Sequence, residues 1–454
     1  MIAAVVERGA GIDVGKRFLK VCLMVGALAE EPRYEIRRIE CTNRALEGLR
    51  EWLQAEGVTH VVMESTGPYW VPVFNILEKA MTVLLANPVE VKNRKGHKTD
   101  AQDSWWLAHL LRHGMVRASF IPPKPTRELR ELRRRRRKLV EAAAQERNRV
   151  QKQLEYGNVK LGNELSDVFG LSGQRMLKAL VDGGKTPEQI AALAQGTLQR
   201  KVEAIAEAVR GECLSNVQKQ VIRSSMRHLI FLEMEIEQLD RETDALLQDS
   251  GQDWARQRLQ TIPGIAAEAA ANLLAETGAD MTRFPDPGHL SSWGGVCPGN
   301  NESAGKHKSR HTTHGNPWFR ATLTECAWSA SRTKGSTFEM KYQRLKRQIG
   351  HAGALVAVAH ELVEAIYWVL AKDEDYRSPI PQPLGEVQRQ RLIRHHTRRL
   401  RRLGGWLPAE KLDPLKEWYV SRCVPAVESP EPKRRGRKKS RVESAENNRG
   451  GPND

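Results

Sequence analysis

The pattern of apolar and polar positions at the start of the chain predicts a meander of short strands followed by a helix. Residues 9–25 contain two apolar runs around a Gly-Lys turn, which is typical of a β-hairpin. Residues 33–41 alternate well enough between apolar and polar positions to add a third strand. Residues 43–56 have helical spacing, with Asn43 as the predicted cap and Gly57 as the end of the helix.

Strands and helices then alternate along the chain. The run VTHVVME predicts a strand that ends at Glu64, the stretch at 68–80 predicts a helix opened by proline, and TVLLAN predicts a short buried strand. After a basic loop, TDAQDSWWLAHLLRHG predicts a helix that ends at Gly114. The order β-β-β-α-β-α-β-α indicates a mixed sheet covered by helices. It is also the element order of the ribonuclease-H-like fold.

Two long charged helices are predicted further on, at residues 127–155 and 217–247, each with apolar residues spaced along one face. They bracket a smaller helical patch at 173–210. We interpret the pair as an antiparallel coiled-coil arm or a dimerisation arm. A plain helical bundle is an equally good interpretation of the same pattern.

A second compact region, rich in Gly, Trp and Ala, follows at residues 255–375, and beyond Pro379 the chain turns basic. The end of the chain reads KRRGRKKSR followed by a polar run, which is typical of a disordered, electrostatic tail. We therefore divide the chain into a sheet domain, an arm, a mainly α domain and a basic tail, at residues 1–125, 126–250, 251–378 and 379–454.

Composition narrows the class of partner. The chain has 454 residues, and 72 Lys and Arg against 55 Asp and Glu leave a net charge of +17. Such an excess favours a polyanion, either a nucleic acid or an anionic membrane. No apolar run reaches the roughly 20 residues of a membrane span, and the N-terminus is too short for a signal sequence. We therefore expect a cytosolic protein that does not contact a membrane and binds nucleic acid.

The cysteines give no sign of a metal or disulfide framework. The chain contains six of them, and none forms a CxxC pair. A zinc ribbon and a disulfide scaffold are both disfavoured, so we expect buried free thiols. The six are Cys22, Cys41, Cys213, Cys297, Cys326 and Cys423.

Four carboxylates fall at the ends of predicted elements. Asp13 lies near the end of the first strand and Glu64 at the end of the fourth, and these strands are neighbours in the ribonuclease-H-like order. Asp100 and Asp103 are three residues apart at the start of the last helix and share a face. Hard divalent cations prefer oxygen ligands. Two Mg²⁺ ions about 4 Å apart can stabilise the attacking and leaving oxygens of a phosphodiester. The four acids therefore indicate a two-metal site.

Each acid alone also fits an ordinary structural role. Asp13 suits a turn before a glycine, Asp100 suits a helix N-cap, and Asp103 suits a first-turn acid favoured by the helix dipole. The coincidence of all four favours the metal site, and so does the basic segment just before the acid pair, which suits a phosphate-bearing substrate. That segment contains Lys92, Arg94, Lys95, His97 and Lys98.

A second candidate site lies in PGNNESAGKHKSRHTTHGNPWFR, residues 298–320. Small residues around Ser303 permit close approach, and a serine nucleophile can divide a transfer into two steps through a covalent intermediate. From composition alone, a basic loop that only holds DNA is the better interpretation. Its three histidines lack a cysteine or carboxylate that would complete a zinc site. The cations that could neutralise a phosphate are Lys306, Lys308 and Arg310.

Two further features are candidates for nucleic-acid contact. The segment LQTIPGIAAEAAANLLAET resembles a helix-hairpin-helix turn around Gly264, which would present backbone N–H groups to a phosphate. A simple Pro-Gly turn between helices fits this segment nearly as well. A run of five arginines suits nucleic-acid backbone contact better, in our interpretation, than a solvated helix face. The run consists of Arg133, Arg134, Arg135, Arg136 and Arg137.

Taken together, these segments resemble one family. GIDVGK, MESTGPYW, KTDAQDSWWLAHLL, IPGI, and WGGVCPGNNESAGK followed by HGNPWFR are similar to the DEDD transposases of the insertion sequence 110 family. The resemblance covers about residues 9–120 and 255–375, in the same order as in the family. MESTG, TDxxD and SAGK form a specific combination, whereas each of them alone is a weak signal.

The resemblance implies a RuvC-like N-terminal domain, a coiled-coil arm and a C-terminal transposase domain. It implies that Asp13, Glu64, Asp100 and Asp103 bind Mg²⁺, and that Ser303 attacks a DNA phosphodiester and becomes covalently linked to it in a composite active site. It also implies DNA partners (the element ends and the target), a structured guide RNA, a homo-oligomer of two or four copies, and a location at the prokaryotic nucleoid. The basic tail and the long segment between the arm helices depart from the family's pattern.

Two other functions fit parts of the sequence. A RuvC-like, metal-dependent junction endonuclease would use the four acids to hydrolyse DNA with water, and its serine loop would only bind. A basic scaffold for nucleic acid would need neither site. The chain has no RRM or KH signature, and the basic stretches at 127–138 and 433–441 suit DNA and RNA equally.

Overall fold

The computed structural model of the chain describes residues 4–64, 67–86, 100–298, 301–303, 306–309, 312, 314–378, 390 and 394. The side chains of residues 100, 101, 301–303 and 306–309 are outside this description. The basic tail at 379–454 lies outside it apart from two helical positions, 390 and 394, so its predicted disorder stays a prediction.

The N-terminal region folds around a five-stranded mixed sheet, as its hydrophobic pattern predicts. The strands lie in the order β3-β2-β1-β4-β5. Neighbouring strands are antiparallel from β3 to β1 and parallel from β1 to β5. The strands are β1 (Arg8–Val14), β2 (Phe18–Val25), β3 (Arg33–Glu40), β4 (His60–Glu64) and β5 (Thr82–Ala86).

Three helices cover this sheet, and the predicted order of strands and helices is confirmed. They are α1 (Asn43–Ala55), α2 (Trp70–Leu77) and α3 (Asp100–Arg112). The cap of α1 is Thr42 rather than the predicted Asn43, because the Thr42 hydroxyl accepts a 3.4 Å hydrogen bond from the backbone N–H of Ala45. Helices α1 and α2 pack with one face of the sheet, and α3 packs with the other.

Helix α3 lies against β1 with almost no space between the two backbones. A side chain at Gly11 would overlap the backbone of Ser104 and Ala108, and one at Gly9 would lie 3.0 Å from Leu111. Strand β1 therefore meets the end of α3 at Gly9 and its middle at Gly11, so the helix runs antiparallel to the strand. The first turn of α3 consequently lies at the carboxyl end of β1.

The other end of α3 is fixed by Arg112, which is 3% exposed. Its guanidinium donates to four backbone carbonyls at distances of 2.6 to 3.2 Å. Such a group compensates the desolvation of a buried cation with hydrogen bonds to neutral oxygens. The carbonyls belong to Val6, Gly26, Ala27 and Glu30.

The arm consists of two long helices, α4 (Lys124–Tyr156) and α9 (Asn216–Asp249), with small helices between them. Arg133, early in α4, bonds to Asp240, whereas Arg147, later in α4, bonds to Glu233. The pair is therefore antiparallel. The small helices are α5 (Leu161–Glu164), α6 (Leu171–Asp182), α7 (Pro187–Ala191) and α8 (Val202–Val209), with a 3₁₀ turn at Gly196–Lys201. They share one core with the long helices, so the arm combines an antiparallel pair with a small helical bundle.

The C-terminal region is mainly helical, as predicted, apart from one short hairpin. Its core includes Leu129 from the start of α4 and Leu247 from the end of α9, so both arm helices are rooted in it. Its elements are α10 (Asp253–Gln260), α11 (Ala267–Thr277), a 3₁₀ turn at Met281–Arg283, α12 (Pro287–Trp293), β6 (Asn301–Ser303), β7 (Lys306–Ser309), α13 (Pro317–Ala330) and α14 (Thr337–Lys372).

Helix α14 is, by length and composition, the one helix in the described ranges that could span a membrane, a candidate that the sequence pattern did not reveal. Half of its most apolar window is buried inside the fold. Gly350 has a φ of 80° and interrupts the helical geometry. The apolar residues after this break, including Leu362 and Ile366, belong to the C-terminal core. We therefore interpret α14 as a core helix.

The contact between α3 and β1 makes Gly11→Ala a destabilising change. The added methyl group would force the two backbones apart, and overpacking of this kind costs about 1–3 kcal/mol of unfolding free energy. Urea unfolding of the variant should show a lower midpoint with an unchanged slope.

Gly48→Ala is the matched control, because a Cβ at Gly48 meets nothing within 4 Å on the exposed side of α1. This change should stabilise the protein by about 0.5–1 kcal/mol through helix propensity. Equal midpoints for the two variants would contradict the close approach at Gly11.

Candidate functional site

Two of the four predicted acids lie side by side at one edge of the sheet. Strands β1 and β4 are parallel neighbours, and Ile12 pairs with Met63. Asp13 and Glu64 are the next residues in that register, and both side chains are partly buried. The prediction that these two strands are neighbours is therefore confirmed.

Both acids lie on the face of the sheet that α3 covers. Side chains alternate along a strand, so Asp13 shares a face with Gly11 and Glu64 shares a face with Val62. Gly11 lies against α3, and Val62 packs with Leu107 of the same helix. Because α3 runs antiparallel to β1, its first turn approaches the end of β1 that carries Asp13.

The first turn of α3 contains the other two acids. Asp100 is the first residue of the helix, and Asp103, one turn later, is partly buried. The fold thus brings three elements that carry acids, β1, β4 and α3, to one end of the sheet. The side chain of Asp100 lies outside the described residues, so its direction is not part of this arrangement.

The donor set consists of carboxylate oxygens, which are the ligands that hard cations such as Mg²⁺ prefer. Among the described side chains, which leave out Asp100, no group of three or more His, Cys, Asp or Glu lies close enough to hold a metal ion. The chemistry of the set fits a divalent cation, and the metal-binding geometry itself stays a prediction.

Ser303 lies on a β-hairpin rather than in the irregular loop that its composition suggests. It is the last residue of β6, and it pairs with Lys306, the first residue of β7. An isolated antiparallel bridge between Pro298 and Thr312 extends the same ladder. The hairpin therefore presents Ser303 at its tip, beside the two residues that join the strands. We refer to residues 298–312 as the serine hairpin.

Several predicted binding residues fall where side chains are not described. Lys306 and Lys308 lie on β7, but only their backbone is described. No extensive contact links the serine hairpin to the five-stranded sheet within the described ranges. The two candidate sites are thus carried by separate parts of the fold. Lys92, Arg94, Lys95, His97, Lys98 and Arg310 lie wholly outside the described residues.

Two family models match the chain. A DEDD transposase model of the IS110 type matches residues 10–157, and a model described as the transposase IS116/IS110/IS902 family matches residues 256–343. The first range contains Asp13, Glu64, Asp100 and Asp103, and the second contains Ser303. The chain belongs to the IS110 family of DEDD transposases. No curated protein sequence matches it.

Membership of this family makes the protein a DNA-transposing enzyme and therefore a DNA-binding protein. A DEDD transposase also typically implies the use of a divalent metal ion. The matched ranges correspond to the sheet domain with the start of the arm, and to the C-terminal region with the serine hairpin. The resemblance found in the sequence is therefore confirmed at the level of the family.

The arginine run of the transposase has a mainly structural role, which corrects part of the sequence interpretation. Arg133 is 5% exposed, donates to Asn272 at 2.7 Å, and pairs with Asp240 at 2.8 Å. Burial lowers the pKa of the Arg133 guanidinium, and the neighbouring charge of Arg136 adds to this. A cation held in this way inside the protein is not available to a nucleic-acid backbone.

Three other arginines of the run are also paired within the chain. Arg134 donates two 2.9 Å hydrogen bonds to Glu276, Arg136 bonds to both Asp240 and Glu268, and Arg137 lies 3.2 Å from Glu325. These pairs join α4 to α9, α11 and α13. Arg135 is exposed, so it is the member of the run that stays a candidate for nucleic-acid contact.

The predicted helix-hairpin-helix segment does form two helices, α10 and α11, with a turn between them. Gly264 in that turn has a φ of 92°, and a Cβ there would lie 2.5 Å from the backbone N of Ala330. The glycine is thus required by backbone conformation and by packing against the end of α13. Phosphate binding at this turn stays a prediction, because the glycine itself is explained without it.

The described cysteines are free thiols, as predicted, but only two of them are buried. Burial raises the pKa of Cys22 and of Cys326 to about 12, which keeps both thiols protonated and unreactive. Cys41 and Cys297 are partly exposed and Cys213 is exposed, so the expectation of burial is wrong for these three. Cys423 lies outside the described residues.

The contrast between Arg133 and Arg135 gives a paired prediction. Arg133→Ala leaves Asp240 and Asn272 without their partner and should lower the free energy of unfolding by about 3 kcal/mol. Arg135→Ala should change it by less than about 0.5 kcal/mol. Urea unfolding measures both effects.

Nucleic-acid affinity separates the two residues in the opposite sense. Arg135→Ala should weaken binding to duplex DNA and reduce the salt dependence of the binding constant by about one ion. Unchanged DNA affinity in this variant would remove the last member of the run from the nucleic-acid interface.

Proposed function

We propose that this transposase cuts and rejoins DNA through a covalent bond between Ser303 and a DNA phosphate, assisted by Mg²⁺ at the four acids. The observation that carries the proposal is the meeting of β1, β4 and the first turn of α3 at one end of the sheet. Asp13, Glu64 and Asp103 are placed there together with the start of the helix at Asp100. The strand order and the position of these acids support a RuvC-like, ribonuclease-H-like sheet.

The proposed reaction conserves phosphoester bonds. The hydroxyl oxygen of Ser303 attacks phosphorus, a bond from that phosphorus to a DNA oxygen breaks, and the departing DNA end takes up a proton as a free hydroxyl. A hydroxyl of the joining DNA end then attacks the same phosphorus and releases Ser303. No water enters the exchange, so the strand is rejoined without an external source of energy. Mg²⁺ held by the acids would neutralise the charge that develops on the phosphate.

The two halves of the site lie on separate elements, the sheet edge and the serine hairpin. The proposal therefore includes a composite active site that forms on DNA, within a homo-oligomer of two or four copies. Its DNA partners are the element ends and the target. The net charge of +17 supports binding to such a polyanion.

A structured guide RNA is part of the proposal through the resemblance to the family. The basic composition supports RNA binding only in general terms, because phosphate contacts form with DNA and RNA alike. A guide would supply sequence recognition by base pairing, whereas the protein would hold its backbone. The proposed location is the cytoplasm, at the nucleoid.

The serine assignment predicts the fate of a covalent adduct. With wild-type protein, Mg²⁺ and element-end DNA, a protein–DNA species should survive denaturing electrophoresis. Ser303→Ala should abolish it, because alanine lacks the attacking oxygen. Ser309→Ala, at the other end of the hairpin, is the matched control and should retain the adduct.

Asp103→Asn should lower the yield of the adduct by about 10²-fold or more, because an amide is a poor ligand for Mg²⁺ and charge stabilisation of the transition state is weakened. Adducts that persist in Ser303→Ala would refute the serine assignment. Cut DNA with no adduct in the wild type would instead support the junction endonuclease that uses water.

The guide assignment predicts a discrete RNA in the purified protein. Protein expressed with its own element should carry an RNA of defined length from a non-coding end of that element, which sequencing of the bound RNA would identify. Protein expressed without the element should lack this species. A heterogeneous mixture of cellular RNA in both samples would count against a guide.

A further inference from the structure

A buried carboxylate, Glu276, joins the arm to the C-terminal region. It lies near the end of α11 and is 3% exposed. Arg134 of α4 donates to both of its oxygens at 2.9 Å, and Arg130 approaches one of them at 3.2 Å. Arg130 also donates to the backbone carbonyls of Ala275 and Glu276. A carboxylate buried this deeply needs such partners to offset its desolvation.

The same carboxylate accepts a hydrogen bond from the base of the serine hairpin. The side-chain N–H of Asn316 donates to Oε2 of Glu276 at 2.6 Å. The side-chain oxygen of Asn316 caps α13 by accepting from the N–H groups of Trp318 and Phe319. Its backbone N–H donates to Trp293. Asn316 is therefore fixed in three directions, and one of them leads to the arm.

The base of the serine hairpin is tightly packed around Asn316. A Cβ at Gly315 would overlap the backbone of Gly295, so the segments entering and leaving the hairpin are in direct contact. The bridge between Pro298 and Thr312 holds the same two segments together. A shift of Asn316 would therefore be passed to both strands of the hairpin.

We propose that Glu276 is a positioning residue for Ser303, because it fixes the base of the serine hairpin to helix α4 through Asn316 and Arg134. This rests on the proposed role of Ser303. Glu276 contacts no DNA in this proposal; it sets where the hairpin stands relative to the arm. The expected consequence is that adduct formation by Ser303 depends on a hydrogen bond between residues 276 and 316 more than on the acidity of either residue.

The pair can be tested by reversing its hydrogen bond. Glu276→Gln replaces the acceptor with an amide that also carries donors, and Asn316→Asp places a second carboxylate against Glu276. The double variant restores one donor and one acceptor in the opposite direction. Aspartate also caps a helix as well as asparagine does, so the start of α13 is preserved.

Two further variants serve as controls. Asn316→Ser retains a capping hydroxyl but is too short to bond to Glu276, so it removes the link and leaves the cap. Glu268→Gln removes another carboxylate of α11 that pairs with arm arginines, Arg136 and Arg133, and that lies 56% exposed away from Asn316. It matches the loss of an arm contact without touching the hairpin.

The rate of adduct formation on element-end DNA is the first readout, with DNA affinity and melting temperature measured alongside. We expect Glu276→Gln, Asn316→Asp and Asn316→Ser each to slow the adduct at least tenfold with DNA affinity within twofold of wild type. The double variant should recover to within about threefold, and Glu268→Gln should stay within twofold. Slowing in Glu268→Gln equal to that in Glu276→Gln would mean a general role in holding the arm and would overturn the proposal.

Hydrogen exchange of peptides spanning residues 294–318 is the second readout, and it does not depend on any reaction at Ser303. The single variants at 276 and 316 should exchange faster than wild type, and the double variant should be protected again. Absence of an adduct in the wild type would defeat the serine assignment, while exchange would still decide whether Glu276 holds the hairpin. Unchanged exchange in the single variants, or no recovery in the double variant, would refute the positioning role.

Discussion

Helix α4 is held by ion pairs along its length, and the placement of the other parts depends on them. Near its start, Arg127 bonds to Glu78 beside α2 of the sheet domain at 2.6 Å. Next, Arg130, Arg133 and Arg134 bind backbone and side chains of the C-terminal region. Further along, its apolar residues enter the arm core. Because the partners of a buried cation must stay in place, these arginines limit how the parts can move against α4.

The sheet domain brings its acids together through a different constraint, which is the absence of a side chain at Gly11. Glycine lets α3 lie directly on β1, and Arg112 anchors the far end of the helix to backbone carbonyls. The near end, which carries Asp103, is thereby brought to the edge of the sheet at Asp13. The site of a DEDD transposase thus depends on packing between backbones two residues before the first acid.

The serine hairpin is built as an attachment with a rigid base and an extended tip. Its base is fixed by the close approach of Gly315 to Gly295 and by the cap at Asn316, whereas its strands contact mainly each other. Such a device can present a nucleophile to DNA at a distance from the core. The link from Asn316 to Glu276 connects this attachment to the arm, so that the orientation of the arm and of the hairpin are physically coupled.

The sequence by itself determined the order of the strands and helices, the two long arm helices, and the family, because apolar periodicity and short motifs are local properties of the chain. It also located Asp13 and Glu64 at strand ends, since each strand ends where its apolar run ends. It missed Glu276 and Asn316, although the Asn-Pro pair signals a helix start. It misjudged Arg133, because an arginine run looks the same whether it faces solvent or carboxylates. Only the tertiary structure supplied Asp240 and Glu276 from distant helices, and burial of a charge depends on such partners.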